Sequence, residues 1–319
     1  MKTLLIPFVA LASLGAAPAP KPALAPSEIV AAAPASDWVT IAPADMLVMT
    51  LANGKQAVIQ LMPPPFSQGW IGNIRKLAAA HWWDGLSINR VQDNYVVQWG
   101  DASEKKALLA GLVTVGEGEY SSRIEVLMPQ EMGTVVDQSN PLDDKVIAEM
   151  KAAARAPNLA DPYSQSAFHW QGWPLAGDFD RYWPVHCYGM VGVGRNLSPD
   201  TGSGAELYTV IGHAPRHLDR NIAVVGRVIS GIENLSSLPR GTGALGFYEK
   251  AEERVGITSI RLVSEIPVAD QPRFEYLSTE SKTFAAYADA RANRRDAFFN
   301  VPAGGADICN IPVPVRKKP

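Results

Sequence analysis

Arg90 and Gln98 stand in two short runs that read as strands, Ser87-Ile88-Asn89-Arg90-Val91 and Tyr95-Val96-Val97-Gln98-Trp99, on either side of the polar tip Gln92-Asp93-Asn94. With those three tip residues as the loop, Val91 faces Tyr95, Arg90 faces Val96, and Gln98 lies diagonally on the side of Arg90. That face would carry a rigid, permanently protonated donor beside an amide. Taken alone, the same pattern also fits an arginine stacked or salt-bridged on a sheet. His213 and His217, four residues apart with His186 and Cys187 upstream, mimic metal-ligand spacing, but Pro215 between them disfavours the helix that spacing needs, so no metal site is expected. Gly189, Gly192, Gly194, Gly202 and Gly204 lack the Lys-Ser/Thr terminus and following helix of a phosphate cradle and read as turns. No Gly-x-Ser-x-Gly elbow occurs, which leaves a hydrolase without support. Cys187 and Cys309 are too few for a disulfide scaffold or a four-thiolate site; they either form one bridge or remain as buried thiols.

The elements that must position these residues belong to a soluble chain with a real core. Hydrophobic residues make up 47% of the 319 and charged residues 19%, with a formal net charge of −3, so disorder is not expected and the basic excess that phosphate binding demands is missing. No nucleic-acid partner is expected. Met1 and Lys2 precede an apolar run from Leu4 to Leu14 and then Gly15, Ala16 and Ala17, the order of a secretory signal over residues 1–19. The run is too short to span a bilayer, and no integral membrane span is expected once it is removed. The mature protein is expected to be exported, to a periplasm if the source has an outer membrane, where the two cysteines could pair. Residues 20–40 are rich in Ala and Pro and read as a flexible or extended linker.

From Met46 the pattern is mainly that of strands. Met46 to Leu51 and Ala57 to Leu61 flank Asn53-Gly54, a strong hairpin signal. Ser67 is placed to cap a helix whose apolar stripe is Trp70, Ile74, Leu77 and Ala78. Between 102 and 186 the reading gives strands at Ala110 to Val115 and Ser122 to Met128, a helix around Asp144 to Ala154, and an aromatic, Pro-punctuated loop from Asp161 to Pro184. Strand-like runs return at Tyr188 to Val193, Glu206 to Ile211, Ile222 to Ile229 and Ile257 to Leu262. The segment from Glu280 to Phe299 reads as a docking helix with Phe284, Tyr287, Ala288 and Phe298 on one stripe and Arg291, Arg294 and Arg295 along its edge.

The order of motifs resembles the cyclophilin family of peptidyl-prolyl cis-trans isomerases. The likeness starts at Val58-Ile59-Gln60-Leu61, Asn73-Ile74 and Trp83-Asp84-Gly85, and sharpens at Ile88-Asn89-Arg90-Val91 and Asn94-Tyr95-Val96-Val97-Gln98-Trp99-Gly100-Asp101. It resumes at Gly189-Met190-Val191, Ser203 to Tyr208, His217-Leu218-Asp219 and Val224 to Gly231. The resemblance implies a mainly β fold, a closed antiparallel barrel capped by helices, in a domain over residues 44–266 with an insertion within 102–186 and a C-terminal helical extension over 267–319. It places the catalytic arginine on Arg90 with Gln98 and Tyr95 beside it, and substrate contacts on Val96, Tyr208, Leu218, Glu206 and Val191. Four positions depart from the usual pattern: Glu206 stands in place of glutamine, Gly192 in place of asparagine, and His217 and Ile222 where tryptophan and histidine often sit.

The implied activity is isomerisation of X-Pro bonds in proline-containing polypeptides, with no cofactor. Rotation about a peptide C–N bond meets a barrier of ~18–20 kcal/mol, and X-Pro is the bond whose two isomers lie close in energy. As resonance is lost the prolyl nitrogen gains a lone pair, and a fixed guanidinium aimed at it binds the transition state more strongly than the ground state. Two other readings stand beside this one: a weakly catalytic proline-peptide-binding or chaperone module of the cell envelope, and a scaffold whose insertion or C-terminal segment holds a partner.

Overall fold

The computed structural model describes residues 23–123 and 161–318; the signal over 1–19, most of the strand expected at Ser122 to Met128, and the helix expected around Asp144 to Ala154 lie outside the described residues. Eight strands close into an antiparallel barrel: β2 (Met46–Leu51), β3 (Gln56–Leu61), β4 (Ser87–Val91), β5 (Val96–Gly100), β10 (Met190–Val193), β11 (Leu207–Val210), β12 (Val224–Ser230) and β13 (Val255–Leu262). Their order around the barrel is β10-β11-β5-β4-β13-β2-β3-β12, with β12 pairing back to β10, so no edge is left unpaired. Leu47, Met49, Ile59, Val97, Trp99, Val191, Val193, Leu207 and Ile260 belong to the contiguous buried cluster.

Helix α2 (Gln68–Ala79) buries Trp70, Ile74, Leu77 and Ala78, the stripe expected of it. Ser67 occupies the N-cap position without capping: it adopts a left-handed φ of 57°, and its hydroxyl donates instead to the Val224 carbonyl at 2.7 Å. Inside the same helix, buried Asn73 donates to the carbonyls of Val113 and Ser203 and accepts from the Val113 N–H at 2.9 Å. That clamp replaces the strand expected at Ala110 to Val115. The segment's backbone bonds to a side chain rather than to a ladder, and of its apolar residues Val113 stays 49% exposed while Val115 is buried.

The aromatic stretch expected to be a loop is a sheet. β7 (Ser166–Trp170), β8 (Trp173–Asp178) and β9 (Arg181–Pro184) form an antiparallel meander extended by β6 (Ser122–Arg123). Its turns place Gln171 and Gly172, and then Phe179, at positive φ. Trp173, Leu175 and Trp183 join the same buried cluster as the barrel interior. The flanks of the chain meet each other: β1 (Trp38–Thr40), β14 (Phe274–Leu277) and β15 (Val315–Lys317) make a third sheet, in the order β1-β14-β15. This sheet covers the outer face of β2 through Ile41, Phe274, Met46, Val48 and Val58, which explains why Met46 to Met49 is apolar on both faces.

The stretch read as a linker is therefore ordered from α1 (Pro26–Ala31), which has Pro at its first turn and Glu28 accepting from the Ala25 N–H at 2.7 Å. The C-terminal helix α3 (Lys282–Ala292) is capped by Ser281 and buries Phe284, Tyr287 and Ala288. It ends before Phe298, which is 83% exposed and not part of the stripe. Cys187 and Cys309 form a disulfide across 122 positions, fastening the tail to the segment that enters β10. Arg227 on β12 ties the layers together. It is buried, donates to Gln60 Oε1 at 2.9 and 2.8 Å and to the Gly172 carbonyl at 2.6 Å, and lies over the Trp173 ring. With no carboxylate among these partners, burial pulls its pKa down to about 10.

Candidate active site

Four neighbouring strands contribute one residue each to a single row. Gly192 pairs with Tyr208, Tyr208 with Gln98, and Gln98 with Arg90. Residues directly opposite in a ladder share a face. Val97, Trp99, Val193 and Leu207 alternate with these positions and belong to the interior cluster, so the row faces outward. Arg90 and Gln98 do share a face, but by direct pairing rather than diagonally. The loop is Asp93-Asn94-Tyr95, one residue later than expected: the Gln92 N–H donates to the Val96 carbonyl, the Tyr95 N–H to the Gln92 carbonyl, and Asn94 takes the left-handed conformation with φ 50°. The shift frees Tyr95 from pairing with β4 while its carbonyl still accepts from the Ile211 N–H at 2.8 Å, and Arg90 lies 5.6 Å from its ring centroid.

The Arg90 guanidinium is held from three sides. Nε donates to the Leu245 carbonyl at 2.8 Å, Nη1 to Gln98 Oε1 at 3.2 Å, and Nη2 to Gln92 Oε1. The Phe247 ring faces it at 5.2 Å. Of the five N–H groups of an arginine, two have no partner among the described residues. Burial lowers its pKa from the ordinary value, with Tyr95 and Tyr208 opposing, and the group stays protonated at neutral pH.

Beside it lies an apolar cluster of buried Val96, Tyr208 and Val210, with partly buried Tyr95, Leu218 and Ile222 packed against them. His217 is exposed and lies nearly parallel to Tyr95, with ring centroids 6.3 Å apart and planes 13° from parallel. Tyr208 leans across β10: a Cβ on Gly192 would sit 2.3 Å from its hydroxyl oxygen. That hydroxyl meets His186 Nε2 at 3.0 Å. Burial raises the Tyr208 pKa well above the ordinary value and keeps the hydroxyl neutral.

Glu206 shares the outer face but turns its carboxyl down, accepting from the Asp101 N–H at 2.6 Å beneath Gly100. Burial raises its pKa to about 7, against the lowering effect of that backbone bond and of Asn89.

The structure thus brings together Arg90, Gln98, Tyr95, Val96, Tyr208 and Leu218. It separates Val191, which is 1% exposed and points into the barrel because strand alternation sends it opposite to Gly192. Glu206 lies at the margin, occupied by backbone. Val210, Gln92, Leu245 and Phe247 escaped the reading. Val210 carried a signal, two residues beyond Tyr208 on the same strand face. The Leu245 and Phe247 loop carried none, since it reaches Arg90 only through the fold. The histidines do not converge: His186 is engaged by Tyr208 and Asp219, and Cys187 by Cys309.

A family model described as cyclophilin type peptidyl-prolyl cis-trans isomerase/CLD matches residues 70–262. The crystal structure of a cyclophilin from Hirschia baltica is similar to this chain with a TM-score of 0.62 at 19% identity, covering 88% of this chain and 92% of that one, a likeness of fold. A Cryptosporidium parvum cyclophilin type peptidyl-prolyl cis-trans isomerase, in the presence of the dipeptide Ala-Pro, matches with a TM-score of 0.37 at 10% identity over 68% of this chain and 98% of its own, and nothing rests on it. No curated protein matches the sequence. With the closed eight-stranded barrel and the family match over more than half its length, the chain belongs to the cyclophilin-type peptidyl-prolyl cis-trans isomerases.

Proposed function

We propose that the chain isomerises X-Pro bonds of exported polypeptides, with Arg90 as the catalytic donor. The observation that carries this reading is the Arg90 guanidinium, fixed by Gln92, Gln98 and the Leu245 carbonyl beside an apolar cluster whose chemistry suits a proline ring. A proline ring seated against Val96, Tyr208, Val210 and Leu218 brings its nitrogen towards the two unengaged N–H groups. These donate to the lone pair that appears only as the bond twists, and no covalent step is needed. Gln98, whose amide oxygen is held by Arg90, keeps its NH2 free for a backbone carbonyl of the peptide, and Tyr95 shields the guanidinium from one side. Export is supported by the leader-like residues 1–19 and suits the Cys187–Cys309 disulfide, which an oxidising compartment preserves.

A coupled isomerisation assay on an X-Pro tetrapeptide tests this. Arg90→Ala is expected to lower kcat/KM by about 10- to 100-fold, the worth of a charge-assisted hydrogen bond of ~1.5–3 kcal/mol. Equal rates for wild type and Arg90→Ala would reject the enzyme mechanism. The alternative of a weakly catalytic binding module is favoured by Ile222 at the pocket rim. It requires that the peptide bind with ordinary affinity while the rate stays near that of the uncatalysed reaction.

A further inference from the structure

Behind the pocket lies a buried polar chain that the family's reaction does not call for. His186 is fully buried in the segment that enters β10. Its Nδ1 lies 2.9 Å from Asp219 Oδ1, which also accepts from the His186 backbone N–H at 3.0 Å. The other oxygen of Asp219 accepts from Arg216 Nε at 2.6 Å, and Arg216 in turn grips Asp161 with both terminal nitrogens at 3.0 and 2.6 Å. Burial pushes the Asp219 carboxyl up, but the His186 hydrogen bond and the Arg216 charge outweigh it, so the carboxylate stays ionised. An ionised Asp219 takes the Nδ1–H as its donor, and the neutral tautomer so oriented offers the Nε2 lone pair to the Tyr208 hydroxyl, 3.0 Å away. What sets this histidine apart is where its second nitrogen goes: to a residue of the proposed site. Both nitrogens are spent on a line that ends at the apolar cluster.

We propose that His186 is a positioning residue for the isomerase reaction: oriented by Asp219, it anchors the Tyr208 hydroxyl and so fixes the ring that closes one side of the prolyl pocket. The inference rests on the assignment of Tyr208 to that pocket. Its geometric counterpart is Gly192, the neighbour across the ladder, where any side chain would occupy the space of the hydroxyl. Without the anchor the ring is free to leave its place over Gly192, and the surface beside Gln98 loses its fixed shape.

The test compares wild type, His186→Leu, Tyr208→Phe and the double variant on one X-Pro tetrapeptide, with thermal unfolding followed in parallel. Each single change is expected to lower kcat/KM by about three- to tenfold, the effect of one net hydrogen bond on a reacting geometry. Because both act through the same bond, the double variant is expected to be no slower than the slower single. His186→Gln, whose side-chain oxygen can accept the hydroxyl, is expected to restore most of the rate. Wild-type kcat/KM in the folded singles, or losses that multiply in the double, overturn the proposal. Should His186→Leu fail to fold, Tyr208→Phe decides by itself, and a rate within about twofold of wild type overturns the role. Arg90→Ala separates the two levels. A wild-type rate there overturns the site assignment and this inference together, whereas a loss there with wild-type singles overturns the inference alone.

Discussion

Replacing Glu206 by Gln is expected to stabilise the protein at neutral and alkaline pH and to leave it nearly unchanged in acid. The carboxyl is held under Gly100 with one oxygen on the Asp101 N–H, and its pKa is raised from 4.5 to about 7 by burial. The unfolded chain ionises this group near 4.5 and the folded chain near 7, so between those values the folded state binds more protons and stability falls as pH rises. The shift corresponds to at most about 3 kcal/mol, fully felt above pH ~7 and absent below pH ~4.5. Glutamine keeps an oxygen for Asp101, and a turn of the Asn89 amide lets the glutamine NH2 donate to Asn89 Oδ1, which is buried without a partner among the described residues. Urea denaturation of both proteins at pH ~4.5 and pH ~8 measures the difference in each condition. The reasoning predicts a gain for the variant of about 2–3 kcal/mol at the higher pH and under about 0.5 kcal/mol at the lower. A gain that is the same at both values, or larger in acid, would refute it.

Gly192→Ala puts a Cβ 2.3 Å from the Tyr208 hydroxyl and 2.4 Å from its ring carbon, so it should displace the ring, cost about 1–3 kcal/mol of stability, and lower kcat/KM in the tetrapeptide assay. An unchanged rate would show that the ring does not form the pocket wall. Cys309→Ser opens the 122-residue cross-link and should lose about 3–5 kcal/mol in denaturant, a deficit that disappears when wild type is measured under a reductant.

All eight barrel strands were readable as strand-like runs, and two of the hairpins announce themselves. Asn53-Gly54 marks the turn of β2–β3, and the polar tip after Val91 marks that of β4–β5. The same logic failed at the meander, where Gln171-Gly172 makes the reversal without an Asn-Gly signal and Pro174 and Pro184 inside the strands read as breakers. Pro is tolerated there because both prolines sit at strand ends, Pro174 second in β8 and Pro184 last in β9. The one-residue slip at Asn94 has a similar origin. Only the turn's own hydrogen bonds decide whether Tyr95 belongs to the loop or to the strand, and no periodicity encodes them. Of the site, Arg90, Gln98, Tyr95, Val96, Tyr208 and Leu218 were legible from motif order, whereas the Phe247 and Leu245 contacts with Arg90 and the His186 contact with Tyr208 join irregular segments and leave no pattern along the chain.

The positions that depart from the family's usual residues make sense as a connected set rather than as separate losses. A side chain at Gly192 and the Tyr208 ring in its present place exclude each other, so the missing side chain and the ring that His186 holds belong to one arrangement. His217 still offers Tyr95 a flat partner, nearly parallel at 6.3 Å. Glu206 spends its carboxyl on the backbone of Asp101 rather than on the pocket. Nothing in the structure explains Ile222 beyond its contact with the pocket cluster. The ladder places Arg90 and Gln98, and Gln92 with the Leu245 carbonyl of a barrel loop holds the guanidinium. Tyr208 is different: its ring depends on His186, which neighbours the disulfide to the tail, and on Asp219, whose Arg216 partner is bound by Asp161 at the start of the meander segment. Material added around the barrel thus reaches one wall of the site and leaves the opposite wall to the barrel itself.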